Sequence, residues 1–329
     1  AVVELTHRRG RTGERERPGL TPEDLVRFRW VEAVALSPDG RRLAYTVRRP
    51  RSTLDGYTVA LLVRDLEKPR PFSPPSGLLT TSAEAVLSDP HVHVVVEVMG
   101  GEHPAVDYIR RAISQGKHVV TANKEVMAKH GPELVDLAQK RRVSLLFEAS
   151  VGGGIPIIGP LMKDLLANEV KSIHAIINGT TNYILTRMST QGLDFQEALR
   201  EAQRLGYAEP DPTNDIEGID ASYKLAILAT LAFHTRVRPE DIYHEGISRL
   251  QARDFRYAQE LGYAIKLLAI TRQDNGSIQV RVHPALVPLD HLLAKVDGAF
   301  NAIEVEGDLV GRVVFHGLGA GPLPTTSAV

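Results

Sequence analysis

Between residues 59 and 150, short β-branched apolar runs alternate with segments whose apolar residues recur at helical spacing. This alternation constrains the fold more than any other feature. TVALLVRDL reads as a buried strand, SAEAVLSD as a short helix, and HVHVVVEV (91–98) as a strand covered on both faces. HPAVDYIRRAISQGK is helical and stops at Gly116, KHVVTANK is a short strand, and EVMAKHGPELVDLAQKR is helical. VSLLFEAS is a strand again. Parallel strands need a crossover that a helix supplies, so these units predict an α/β fold with a doubly wound, Rossmann-like parallel sheet. After Gly152, Gly153 and Gly154 come long helices, then strands near 263–273, 278–284 and 309–315, which read as a second, α+β domain. The domain boundary falls near residue 150.

The first 58 residues read differently. Residues 1–17 are charged and poorly periodic, and disorder is expected there. In TPEDLVRFRW, Thr21 can cap a short helix with Pro22 at its first position and Asp24 as the N3 acid. VEAVALSPDGRRLAYTVRR carries alternating apolar residues around a Pro-Asp-Gly turn, the signature of a β-hairpin.

Composition narrows the function classes. With 329 residues, 43% of them hydrophobic, the chain can bury two cores. A formal net charge of −1 offers no basic surplus for nucleic acid or an anionic membrane. The absence of cysteine excludes disulfides, thiolate metal sites and a cysteine nucleophile. No apolar run reaches the roughly 18 residues needed to span a bilayer. The Arg-rich start has no apolar signal core, so a cytoplasmic location is expected.

A doubly wound sheet raises the question of a nucleotide, yet no G-x-G-x-x-G occurs in the first 100 residues. By that fingerprint alone dinucleotide binding would not be inferred. The segment GYAEPDPTNDIEGIDASYKLAILATLA (206–232) is more informative. Glu209, Asp211 and Asp215 lie in a Pro-broken loop that leads into a helix, where Asp220 and Lys224 stand four residues apart, acid first. Burial disfavours a charged amine and a neighbouring carboxylate favours it, so the balance decides whether such a lysine exchanges protons near neutrality. An ordinary surface ion pair with an acidic capping loop explains the same spacing. Lys124 stands just past the end of a parallel strand, where open α/β sheets bind ligands, or it is a solvated lysine opening a helix. In EASVGGGIP the glycines bring backbone carbonyls within reach of a ligand or hard cation, or they form a plain hinge. The histidines show no metal spacing; His118 and His174 read as structural.

Six segments in order carry a resemblance: VVVEVMGG (94–101), GKHVVTANK (116–124), FEASVGGGIPII (147–158), INGTTNYIL (177–185), GYAEPDPTNDIEGIDASYK (206–224) and GLGAG (317–321). Together they resemble the successive motifs of homoserine dehydrogenases over residues 60–329, and VRDLEKPRP (63–71) resembles the stretch after the second strand of that family's nucleotide domain. The resemblance implies NADP- or NAD-dependent interconversion of L-homoserine and L-aspartate 4-semialdehyde by a homodimer. It implies that Lys224 is the general acid/base, with Asp220 orienting substrate beside it. Glu209 would hold the substrate ammonium and Asp215 would shape the same pocket. Lys124 would touch both substrate and cofactor, with Thr121, Asn123, Gly100 and Gly319 on the cofactor side. A sodium-type cation would be held by Glu148, Val151, Gly153 and Ile155. Residues 59–150 would then be a partial nucleotide domain, 151–308 the catalytic and dimerisation domain, and 309–329 a truncated segment returning to the nucleotide domain.

Two departures accompany the resemblance. The family's opening strand, Gly-rich loop and helix are not found; instead residues 20–50 resemble the start of the propeller of prolyl-oligopeptidase-like peptidases, without their catalytic domain. The doubly wound sheet is therefore expected to be incomplete and turnover weak or absent, because the pyrophosphate normally rests on backbone N–H groups of that loop. The alternative is a non-catalytic chain that dimerises or binds an amino acid without nicotinamide.

Overall fold

The computed structural model describes residues 79–329 throughout and, ahead of them, the backbone of four strands. It divides into two compact units: Ala1–Val126 and Pro132–Leu146 with Val329, and Met127–Gly131 with Phe147–Ala328. The chain passes from one unit to the other at Leu146/Phe147.

In the first unit the strands are β1 (Val2–His7), β2 (Val31–Leu36), β3 (Leu43–Val47), β4 (Tyr57–Leu62), β5 (Leu79–Thr80), β6 (Val94–Glu97), β7 (His118–Thr121) and β8 (Leu145–Leu146). Strands β2 and β3 pair antiparallel, and the expected turn at Pro38–Gly40 between them lies outside the described residues. The others make one sheet in the order β5-β4-β1-β6-β7-β8. Pairs β6–β7, β7–β8 and β4–β5 are parallel, as the strand–helix–strand units require. Strand β1 departs from expectation: Val2–His7 is not disordered but runs antiparallel to both β4 and β6, making the sheet mixed. Its β-forming residues are short and followed by a charged run, which hides the strand from a reading based on composition. The remainder of residues 1–17 and the expected helix from Thr21 lie outside the described residues.

Three helices cross over between these strands: α1 (Ala83–Leu87), α2 (Ala105–Ser114) and α3 (Lys124–Arg141). Helix α2 is amphipathic: Val106, Ile109, Ala112 and Ile113 are buried in one core with Val95 and Val119 of the sheet and Val126 and Leu134 of α3. Each of the valine, isoleucine and leucine side chains contributes roughly 1.5–3 kcal/mol relative to exposure, so the apolar stripe rather than helix propensity fixes α2. Strand β8 is only two residues long, since the chain turns at Glu148–Ser150 where the sequence suggested a longer strand.

The second unit is built on β9 (Val170–Ile176), β10 (Tyr243–His244), β11 (Tyr263–Asp274), β12 (Ser277–Pro288), β13 (Phe300–Gly307) and β14 (Gly311–Leu318), ordered β10-β12-β11-β9-β13-β14. Every pairing is antiparallel except β10–β12. The central β9 and β13 were missing from the sequence expectation. Within residues 309–329, Gly311–Leu318 is hydrogen-bonded to β13 as the edge strand of this second sheet. Its helices are α4 (Gly179–Gln191), α5 (Phe195–Arg204), α6 (Thr213–Ile216), α7 (Ile219–Phe233), α8 (Ala252–Glu260) and α9 (Pro322–Ala328). Helix α5 opens on a capping box, Asp194 with Glu197, and buries Phe195, Ala198, Leu199 and Ala202. Helix α7 is apolar nearly all round past its first turn, which places the Asp220–Lys224 end at the edge of a core.

Candidate functional site

Helix α4 begins where β9 ends, and its N-terminus organises the second unit's polar cluster. Asn178 is the N-cap: its side-chain oxygen accepts from the Thr181 N–H at 2.8 Å and the Thr181 hydroxyl at 3.0 Å. Its amide nitrogen donates to Asp215 Oδ1 at 2.7 Å and Asp220 Oδ2 at 2.9 Å. Lys224 Nζ donates to Asp220 Oδ2 at 2.6 Å and to the Ile177 carbonyl at 2.8 Å. The side chains of Lys224 and Asp220 are only 12% and 3% exposed, so this is not the solvated ion pair that the bland reading of the spacing offered. Asp215 arrives on α6 and Asp220 on α7, which starts from Gly218 in a left-handed conformation (φ 79°). Glu209 stands exposed on the intervening loop, which Thr180 anchors to α4 by donating to the Tyr207 carbonyl at 2.6 Å. The arrangement offers an amine and two carboxylates in fixed order, suited to moving a proton on a small polar substrate.

A second constellation lies at the glycine turn. The Glu148 carboxylate accepts from the backbone N–H groups of Ile157 (2.6 Å), Ile158 (2.8 Å) and Gly159 (2.7 Å). Three of its roughly four acceptor positions are thereby engaged. Gly152 and Gly153 are left-handed (φ 73° and 56°), and Gly153 packs directly on the Gly319 carbonyl. Val151 and Ile155 are buried on either side of the turn. Asn301, fully buried on β13, lies against Gly319 with both amide atoms unbonded among the described residues.

In the first unit, the polar groups gather at the C-terminal ends of parallel β6 and β7. Glu97 is fully buried; its carboxylate accepts from the Met99 N–H at 2.6 Å and the Thr121 hydroxyl at 2.5 Å. Thr121 in turn accepts from the Asn123 N–H, and the Asn123 amide donates to the Gly101 carbonyl at 2.8 Å. Asn123 also caps α3, whose first residue is Lys124. Gly100 and Gly101 are both left-handed (φ 76°), making the turn that follows β6. Glu97→Ala leaves the Met99 N–H and the Thr121 hydroxyl without their buried acceptor, and is expected to lower stability by about 2–4 kcal/mol. Urea unfolding checks this; a change below about 0.5 kcal/mol would mean water replaces the carboxylate freely.

Family comparison extends the geometry. The family model described as "Homoserine dehydrogenase" matches residues 156–329, and the one described as "Homoserine dehydrogenase, NAD binding domain" matches 40–148. The chain belongs to the homoserine dehydrogenase family. The homoserine dehydrogenase of Synechocystis sp. is 52% identical over 274 residues, 82% of this chain and 63% of that protein. The Corynebacterium glutamicum enzyme is 48% identical, again over 82% of this chain and 61% of its own length. The crystal structure of a homoserine dehydrogenase from Thiobacillus denitrificans matches with a TM-score of 0.75 at 52% identity, covering 77% of this chain and 59% of that one. A hyperthermophilic archaeal homoserine dehydrogenase in complex with NADPH matches with a TM-score of 0.66 at 31% identity, over 75% of this chain and 72% of that one. The chain spans about three fifths of the length of the curated relatives it matches. The nucleotide-domain match begins at residue 40, so it reaches into the stretch assigned on resemblance to a peptidase propeller and starts earlier than the expected 59.

Of the homoserine dehydrogenase residues expected from sequence, the structure joins Asp215, Asp220 and Lys224 in one network and Thr121 with Asn123 in another. Gly319 meets Gly153, so the glycine turn and the GLGAG segment are one construction within the second unit. Sequence reasoning missed Asn178 and Glu97. INGTT offered a capping signal for Asn178, whereas a lone Glu in the apolar run HVHVVVEV was the only sign of Glu97. His118 is structural, accepting from the Ser144 N–H at 3.0 Å between β7 and β8. His174 lies 4.0 Å from Glu304 on the second sheet; burial pushes its pKa down against the pull of that carboxylate.

Proposed function

We propose that the chain acts as an NADP- or NAD-dependent homoserine dehydrogenase, interconverting L-homoserine and L-aspartate 4-semialdehyde on the route to threonine, methionine and isoleucine. The single observation that supports this reading most is the buried Lys224–Asp220–Asn178–Asp215 network. Lys224 takes the substrate's hydroxyl proton in one direction and returns it in the other, with Asp220 fixing the direction of its amine. Glu209 pairs with the substrate ammonium and Asp215 shapes the same pocket. The nicotinamide cofactor, when bound, supplies the hydride acceptor or donor. Lys124, Thr121, Asn123 and Gly100 would hold it on the first unit. The fit is reasonable: parallel sheets receive nucleotides at their strands' C-terminal ends, and a side chain at Gly101 would meet open space there. A sodium-type cation belongs to the same reading, held by the Val151, Gly153 and Ile155 carbonyls and by Glu148. Because three backbone N–H groups already engage the Glu148 carboxylate, the carbonyls carry most of that role.

The proposal includes a homodimer formed through the second unit, where Leu286, Leu292 and Phe300 are exposed. It also includes a cytoplasmic location; no described helix is long and apolar enough to cross a membrane. The propeller-like stretch at 20–55 is given no part in the chemistry. The test is to mix the protein with L-homoserine and NADP+ or NAD+ and follow the absorbance of reduced nicotinamide. Homoserine-dependent reduction is expected, with high dinucleotide concentrations required, because residues 1–100 carry no G-x-G-x-x-G loop. Folded protein that binds homoserine by calorimetry but never reduces either dinucleotide would support the non-catalytic alternative instead.

A further inference from the structure

We propose that Asn178 is the positioning residue of the catalytic network: its one amide holds the Asp215 and Asp220 carboxylates together and, through Asp220, aims the Lys224 amine. The inference rests on the homoserine dehydrogenase reading above and deepens it. Two carboxylates brought together repel each other, and Asp215 and Asp220 come from different helices. A primary amide has two N–H donors, and the Asn178 amide spends them on one carboxylate oxygen of each aspartate, at 2.7 and 2.9 Å. The assignment of its oxygen and nitrogen follows from its partners. The Thr181 N–H can only donate and the two carboxylates accept, so the oxygen must face Thr181 and the nitrogen the aspartates.

Capping α4 does not explain this residue by itself. Ser, Thr or Asp cap a helix about as well as Asn, and each would satisfy the Thr181 N–H. None of them carries an acceptor for the cap and a pair of donors for two acids at once, and Gln would carry the amide one methylene too far. Asn178 is also buried, so its amide is not exchanging freely with water. The chain of contacts then runs from Asn178 to Asp220 Oδ2, and from that same oxygen to Lys224 Nζ at 2.6 Å. Losing the amide removes one of the contacts that orient Asp220, and the Lys224 amine bonded to the same oxygen loses that support with it. Displacements of about 1 Å in a reacting group can lower rate about a hundredfold.

Asn178→Ser separates the two tasks, since it keeps a capping oxygen and removes the bridging amide. Three measurements on purified wild type and variant test the proposal. Thermal melting is expected to change by only a few degrees. In steady-state kinetics with homoserine, kcat is expected to fall about tenfold to a hundredfold while KM for homoserine rises less than about threefold. Lys224 is expected to react with an amine-modifying reagent several times faster in the variant, read peptide by peptide by mass spectrometry, because its amine is held less firmly. Asn178→Asp, which also keeps the cap but adds a third carboxylate, is expected to lose at least as much kcat as the serine variant. Unchanged kcat in a folded Asn178→Ser protein, or full activity in Asn178→Asp, overturns the proposal. If wild type itself shows no homoserine turnover, the functional reading fails, and the labelling of Lys224 still decides the positioning role: equal labelling of wild type and variant refutes it.

Discussion

Lys224→Ala is expected to lower kcat for homoserine oxidation by about 10²–10⁴-fold, the usual worth of a positioned general acid/base. Oxidising an alcohol removes a hydride from carbon and a proton from oxygen, and the chain must receive that proton at a fixed place. Lys224 suits the task because two of its three N–H directions are set by Asp220 and by the Ile177 carbonyl. In the proposed reaction the third would face the substrate hydroxyl. A surface lysine would lose side-chain entropy to reach such a pose; here burial and the two bonds have already fixed it. The variant also leaves the Ile177 carbonyl and one Asp220 contact unmet, which costs about 1–3 kcal/mol of stability, whereas Asp220 retains its bond from Asn178. Kinetics therefore have to be read on protein shown to be folded, by near-UV circular dichroism or melting. A folded Lys224→Ala protein with full turnover would remove the amine from the mechanism and leave the network a structural one. Lys224→Arg keeps the charge but not a readily exchanged proton, so it should be nearly as inactive as the alanine variant.

Much of the architecture was legible because it is local. The β-branched runs at 91–98 and 117–121 and the apolar stripe of Val106, Ile109 and Ile113 report their own burial, so β6, β7 and α2 follow from spacing alone. The spacing of Asp220 and Lys224 likewise reported that the two could meet, and they do. What stayed hidden depends on partners distant in sequence. Strand β9 pairs with β11 about a hundred residues later and with β13 further on, and its exposed Lys171 and half-buried His174 blur the alternation that would have marked it. Strand β1 takes its place from β4 and β6, not from any strong pattern of its own. Partners of charged residues stay hidden for the same reason. The Glu148 carboxylate accepts from three backbone N–H groups nine to eleven residues ahead, a demand that only the folded turn creates. Asn178 shows the limit most clearly: its capping oxygen is predictable from the next three residues, whereas its bridging nitrogen is explained only once α6 and α7 are packed beside it.

Gly153→Ala is expected to be among the most damaging single-methyl additions in the second unit, with a loss of roughly 2–5 kcal/mol. Two penalties add. The residue is left-handed at φ 56°, which costs a non-glycine residue about 1–2 kcal/mol. The added Cβ would also fall on the Gly319 carbonyl, a backbone group and not the yielding tip of a side chain. Neither strand of that contact has room to retreat. The Gly154 N–H is tied to the Leu318 carbonyl at 3.1 Å, and on the far side Gly319 lies hard against the buried Asn301 amide. Overpacking of this kind costs about 1–3 kcal/mol. For a domain of this size the sum corresponds to a fall in melting temperature of roughly 5–15 °C. Gly192→Ala supplies the control, because it is left-handed at φ 67° with nothing within 4 Å of the new methyl. It should lose only the conformational part, about 1–2 kcal/mol. Calorimetry on both variants isolates the contact as the difference between them. Equal losses would show that the glycine turn and the GLGAG segment can slide apart, and would take away the rigid support on which the proposed carbonyl cation site depends.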